Sequence, residues 1–221
     1  MTNLSRRYVP GRRPGIFKYL AFCLSLSILA LGTALTSAKA HELNPTVADF
    51  TVVEGQLTVD MRLNAEAFLS GLDLDGVTNT DEAEDADSYI ALQDRLGFEI
   101  QSLFTAQAPE FLKGFTVSGG DQVIPLTLVS IETPAESIEE VARLSFARFQ
   151  GEVPSSVRAI SFAWGESYGE IVIRQQGVEA PYTGFLKGGE ATPPIPLLGG
   201  AALTGWQTFV SYIPVGFDHI L

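Results

Sequence analysis

Cysteine is almost absent from this sequence. The single one, Cys23, lies in an apolar run near the N-terminus. Beyond residue 40 there is no thiol, which excludes a disulfide framework, a thiolate nucleophile and a cysteine-based metal site from the greater part of the chain. Histidine is nearly as scarce, with His41 and His219 the only two. A Ser-His-Asp arrangement would have to recruit one of them, both near the ends of the mature chain, and the sequence is read without a nucleophile elbow or a phosphate-cradling glycine loop. The expectation is a protein that is not an enzyme. Its stability must come from a packed core.

Positive charge is the third scarcity. Of the 14 lysines and arginines six precede His41, whereas all 26 acids follow it, so the chain from His41 onward carries eight cations and a formal charge of −18. Such a surface repels phosphate backbones, and no nucleic-acid partner is expected.

The cations before residue 40 belong to a pattern. Arg6, Arg7, Arg12, Arg13 and Lys18 precede an apolar run from Tyr19 to Leu35, and Ser37-Ala38-Lys39-Ala40 follows it. A cationic region, an apolar region and small residues at the −3 and −1 positions make a secretory signal, with cleavage expected between Ala40 and His41. An uncleaved anchor is the alternative, at the lower length limit for a spanning helix. Residues 1–40 are therefore read as a signal peptide, and the remainder as exported to the periplasm.

The exported part begins as strands. Phe50 and Val52 alternate with polar neighbours, Glu54-Gly55 supplies a turn, and Leu57, Val59, Met61 and Leu63 alternate again, which predicts a β-hairpin with one buried face. A short helix is expected over 65–72, an acidic loop over 73–87, and two helices split at Gly97 and ended by Pro109. Further strands are expected over 115–117, 123–131, 142–149, 157–164, 168–174 and 182–186. The fold class is thus mainly β, an antiparallel, Ig-like β-sandwich with an inserted helical pair, over residues 41–188. Thr192-Pro193-Pro194-Ile195-Pro196 reads as a stiff Pro/Gly-rich linker over 189–199. Residues 200–221 are read as an amphipathic membrane-proximal segment, with a strand or helix packed on the sandwich and a poor spanning helix as alternatives: Trp206, Phe209, Val210, Ile213, Phe217 and Ile220 fall at the spacing of one helical face, and no charge stands between Glu190 and Asp218.

Three stretches carry a resemblance: His41-Glu42-Leu43-Asn44-Pro45, then Val172-Ile173-Arg174-Gln175-Gln176-Gly177 through Tyr182-Thr183-Gly184-Phe185-Leu186, and finally Tyr212-Ile213-Pro214-Val215-Gly216-Phe217-Asp218-His219-Ile220-Leu221. In these the chain resembles the HupE/UreJ family of hydrogenase and urease accessory membrane proteins, in the branch with a long exported N-terminal domain. The resemblance implies a bundle of transmembrane helices beyond the tail and a role in nickel or cobalt transport. The sequence stops at Leu221, so the expectation is a fragment bearing the exported domain, with a ligand- or partner-binding role at the periplasmic face of the inner membrane. The competing reading is a free-standing periplasmic binding module.

Metal readings centre on His41. Once cleavage frees its α-amine, amine and imidazole together can chelate Cu(II) or Ni(II); His219 is the other candidate ligand. No cofactor is expected to be needed for folding. The acidic loop fails the calcium-loop pattern counted from Asp73, because Val77 and Thr78 occupy positions five and six, and it is read as solvated.

Overall fold

The computed structural model describes residues 44–75, 86–136 and 142–200. The expected signal segment, His41, most of the acidic loop and the tail from residue 201 lie outside them.

The protein is mainly β, with two sheets and three helices among the described residues. Strands β1 (Thr46–Val53) and β2 (Gln56–Leu63) form the hairpin read from the sequence. Glu54 and Gly55 between them both have positive φ, 51° and 81°, as a two-residue type I′ turn requires. Helix α1 (Ala65–Ser70) follows, capped by Asn64, whose Oδ1 accepts from the Ala67 N–H at 3.1 Å, and closed by Gly71 at φ 77°. Helices α2 (Ala86–Gln93) and α3 (Gly97–Gly114) are indeed split at Gly97, where the Glu99 carboxylate accepts from the Leu96 N–H at 3.0 Å. Then come β3 (Thr116–Gly119), β4 (Gln122–Ile124), β5 (Thr127–Glu132), β6 (Ser145–Glu152), β7 (Ala159–Ala163), a 3-10 turn (Glu166–Tyr168), β8 (Ile171–Gln175), β9 (Thr183–Leu186) and β10 (Ile195–Pro196).

Four expectations are corrected. Pro109 does not end its helix: α3 runs on to Gly114 with the proline inside it, because Phe111 beyond it is a core residue whose burial outweighs the lost backbone bond. The single strand expected over 123–131 is two, β4 and β5, in different sheets; Pro125 between them supplies no N–H to a ladder. The sheets are not wholly antiparallel, since β1 pairs in parallel with β8, Thr46 to Phe50 opposite Ile171 to Gln175. Finally, the linker expected over 189–199 is part of the fold. Ile195 is fully buried, β10 pairs with β7, and the Thr192 N–H donates to Phe162 O at 2.8 Å while its Oγ1 accepts from Phe162 N–H at 3.0 Å. The prolines favour an extended chain, and an extended chain is what a strand partner needs.

One sheet has six strands in the order β5-β6-β2-β1-β8-β9, the other four in the order β10-β7-β3-β4. Their inward faces share one core. From the first sheet it takes Phe50, Val59, Met61, Phe149 and Ile173, and from the second Val117, Ile160 and Phe162. The alternation of Ile160, Phe162 and Trp164 with Ala159, Ser161 and Ala163 is that of the sequence reading. Helix α3 contributes Ile100, Phe104 and Phe111. Phe111 is the hub: it stacks on Phe149 at 5.6 Å and on Tyr168 at 5.5 Å, and meets Phe68 edge-on at 5.1 Å.

The strands run between two ends. At one, α1, the 3-10 turn and the C-terminal part of α3 meet around Leu63, Asn64 and Trp164; this is the helical end. At the other, four turns are tied together where the described chain ends at Gly200: Val153 N–H donates to Gly55 O, Leu197 N–H to Arg158 O, Gln176 N–H to Phe50 O and Gly200 N–H to Ala180 O, at 2.8–3.0 Å. This is the exit end.

Candidate functional site

The outward face of the six-stranded sheet carries the polar halves of its alternating strands, and their register gathers charge into rows. Asp49 on β1 lies opposite Asp60 on β2; beyond them Asp60 lies opposite Arg148 on β6, and Asp49 opposite Arg174 on β8. Two like charges directly opposed are unfavourable. Here each aspartate is clamped from its outer side. Arg148 Nε and Nη2 donate to the Asp60 carboxylate at 2.6 and 3.0 Å. Arg174 Nε and Nη2 donate to Asp49 at 2.7 and 2.6 Å, with Gln176 Nε2 adding a third bond at 2.8 Å. Both are two-pronged guanidinium–carboxylate pairs, the geometry in which arginine outdoes lysine. Hydrogen bonding to Asp60 pushes the Arg148 pKa up.

The next row of the same face sets Arg62 opposite the exposed ring of Phe146. Together these rows line a trough of about 790 Å³. Three of the eight cations after residue 40, Arg62, Arg148 and Arg174, stand in it beside three carboxylates, Asp49, Asp60 and Glu132, so the trough is balanced in charge where the chain from His41 onward is strongly acidic. Arginine and aromatic side chains are enriched at protein–protein interfaces.

A second group is buried. Glu66 on α1 and Arg143, before β6, are each 1% exposed, and Arg143 Nε donates to Glu66 Oε1 at 2.6 Å. The same guanidinium donates to Arg95 O at 3.0 Å, so it ties α1 to the α2–α3 junction. Glu66 Oε2 has no partner among the described residues. Burial raises the pKa of this carboxyl above the ordinary carboxylate range, opposed by the hydrogen bond and the charge of Arg143. Nearby, buried Thr133 and Ser145 share a hydroxyl–hydroxyl bond at 2.9 Å. Among the described residues the group ties α1, the α2–α3 junction and the segment before β6 together.

A third feature escaped the sequence reading. Gly165-Glu166-Ser167-Tyr168-Gly169 has the Gly-x-Ser-x-Gly spacing of a nucleophile elbow. Its conformation differs: Ser167 sits in the 3-10 turn between β7 and β8 rather than on a strand-to-helix elbow, and its φ is not positive. It borders a cavity of about 100 Å³ walled by Phe68, Phe111, Trp164 and Tyr168, and neither histidine lies among the described residues. The glycines serve the fold, because side-chain atoms placed at Gly165 would meet the Tyr168 ring.

The sequence-predicted ligands His41 and His219 lie outside the described residues, so the structure does not bring them together with anything. Among the described residues no three Asp, Glu, His or Cys side chains converge as metal ligands, and no helix is long and apolar enough to cross a membrane. No protein-family model and no curated protein matches the chain.

Proposed function

We propose that this chain is the exported N-terminal domain of a HupE/UreJ-type membrane protein, linked to nickel or cobalt transport, and that it works there by binding a partner protein on the outward face of its six-stranded sheet. In this reading residues 1–40 are a signal peptide removed before His41, the two sheets form an Ig-like β-sandwich on the periplasmic side, and residues from 201 hold it at the inner membrane. The second of the stretches that carry the resemblance, 172–177 through 182–186, contributes β8, whose Arg174 lines the trough, and β9 beside it.

The observation that carries the binding role is the concentration of Arg62, Arg148, Arg174 and the exposed Phe146 ring in one trough of a strongly acidic domain. The aspartates orient two of these guanidinium groups while leaving part of each accessible. A pre-oriented arginine binds with less loss of side-chain freedom than a mobile one. Partners bearing carboxylates beside an apolar anchor fit this face.

The test places a photocrosslinking amino acid at Phe146 of the full chain in the exporting cell, with Val123 on the other sheet as control. The expected result is one discrete adduct from position 146 that Arg148→Gln weakens. An adduct equally strong from position 123, or one indifferent to Arg148→Gln, overturns the assignment of this face.

A further inference from the structure

We infer that the exit end of the domain rests on the surface of a lipid bilayer, with the strands standing upright and the helical end pointing away from it. This deepens the reading just given, since it rests on residues from 201 onward holding the chain at a membrane.

The argument is one of reach. Gly200 is fastened to the body of the domain by its bond to Ala180 O at 3.0 Å, and a side chain at Gly199 would collide with Glu179 O, so the chain leaves in close contact with the β8–β9 turn. Trp206, the first residue of the apolar face, is six positions further on. Six residues span at most about 20 Å even when fully extended. Strand β1, with eight residues, is itself about 26 Å long, and the helical end lies beyond its far terminus. A bilayer that takes up Trp206 therefore lies within a short tether of the exit end.

The exit end is built to tolerate that contact. Leu198 is 89% exposed and Val53 63% exposed, both at the turns that close it. The charged side chains at the same turns are Glu54, Asp121, Glu152 and Glu179 against Arg158, all exposed. That balance fits a neutral, zwitterionic headgroup layer and opposes an anionic one. Apolar contact with acidic flanks differs from the polybasic pattern of most surface-bound domains.

The test uses the chain purified after export, which begins at His41 and so holds an introduced cysteine as its sole thiol, with an environment-sensitive fluorophore attached in turn at positions 53, 198, 98 and 146. Phe98 follows Gly97, whose N–H donates to Ala135 O just past the end of β5 that lies level with Leu63, and so marks the helical end, while Phe146 marks the sheet face. With phosphatidylcholine vesicles, labels at 53 and 198 shift to the blue and are quenched by headgroup-spin-labelled lipid, whereas labels at 98 and 146 do not change. Adding phosphatidylglycerol weakens the response, and salt restores it. If the chain binds but the labels at 98 or 146 respond as strongly as those at 53 and 198, the orientation is wrong and the membrane attachment stands. If no label responds and the chain stays free of vesicles, both fail.

Discussion

Replacing Arg143 by methionine isolates what the buried ion pair does. The side chains of Glu66 and Arg143 are each 1% exposed, and the guanidinium also holds the Arg95 carbonyl at the α2–α3 junction. Methionine fills much of the volume but leaves a buried carboxyl without its charged partner, and breaking such a pair from one side costs about 3–5 kcal/mol. In a domain of this size each kcal/mol lowers Tm by about 2–4 °C, so a fall of roughly 6–20 °C is expected. The double variant Glu66→Leu, Arg143→Met removes both charges and should recover most of the loss. The pH dependence has a definite sign. Because burial raises the Glu66 pKa above 4.5, the folded state holds that proton more tightly than the unfolded chain. Its contribution is therefore full below the ordinary value and is lost as pH rises through the raised one. Arg143 opposes that rise, so the Arg143→Met penalty should grow with pH from about 4.5 upward. Urea titrations followed by tryptophan fluorescence at several pH values measure this. A penalty below about 1 kcal/mol, typical of an exposed pair, a pH-independent penalty, or a double variant no better than the single would refute the reasoning.

Three further outcomes are expected. Gly97→Ala should destabilise by about 1–3 kcal/mol, since a Cβ there lies 2.2 Å from Pro134 O and 2.7 Å from Thr133 O; helix propensity alone would give a gain of about 1 kcal/mol, so thermal denaturation decides the sign. Phe111→Ala should cost about 3–5 kcal/mol by emptying the centre of the aromatic cluster, and a loss under about 1 kcal/mol would show that its neighbours collapse into the gap. Calorimetric titration of the exported chain with Cu(II) and Ni(II) tests the alternative of a terminal chelate at His41, which requires a site that is lost on acetylating the α-amine; no site, or one that survives acetylation, excludes it.

Much of the architecture was legible because it rests on local chemistry. The hairpin showed in the alternation of Leu57, Val59, Met61 and Leu63 and in Glu54-Gly55, and the helix break showed in Gly97. Partner choice was not legible. Alternation tells which side chains of β1 and β8 face inward, but nothing in 46–53 or 171–175 states that they run in parallel. Pro125 could have divided 123–131, whereas Pro109 lay in a helix despite its type, since the rings around Phe111 decided the matter. The trough was hidden for the same reason: Asp49, Asp60, Arg148 and Arg174 each read as ordinary outward residues, and only the register joins them. Glu66 carried a weak local signal, an acid among Ala65, Ala67, Phe68 and Leu69, but its partner lies 77 residues away.

The parallel pairing of β1 with β8 also orders events in time. β1 emerges first from any N-terminus-first delivery, yet one of its two edges is completed only by residues 171–175, and Arg174 reaches back 125 positions to Asp49. Until then that edge presents unpaired backbone groups beside a strand whose inner face is apolar, the condition under which strands join the wrong chain. Such long-range closure is slow compared with forming the β1–β2 hairpin. A chain halted anywhere before Ile171 therefore keeps an open seam along β1, even where β5 and β6 have already closed the other side of the hairpin.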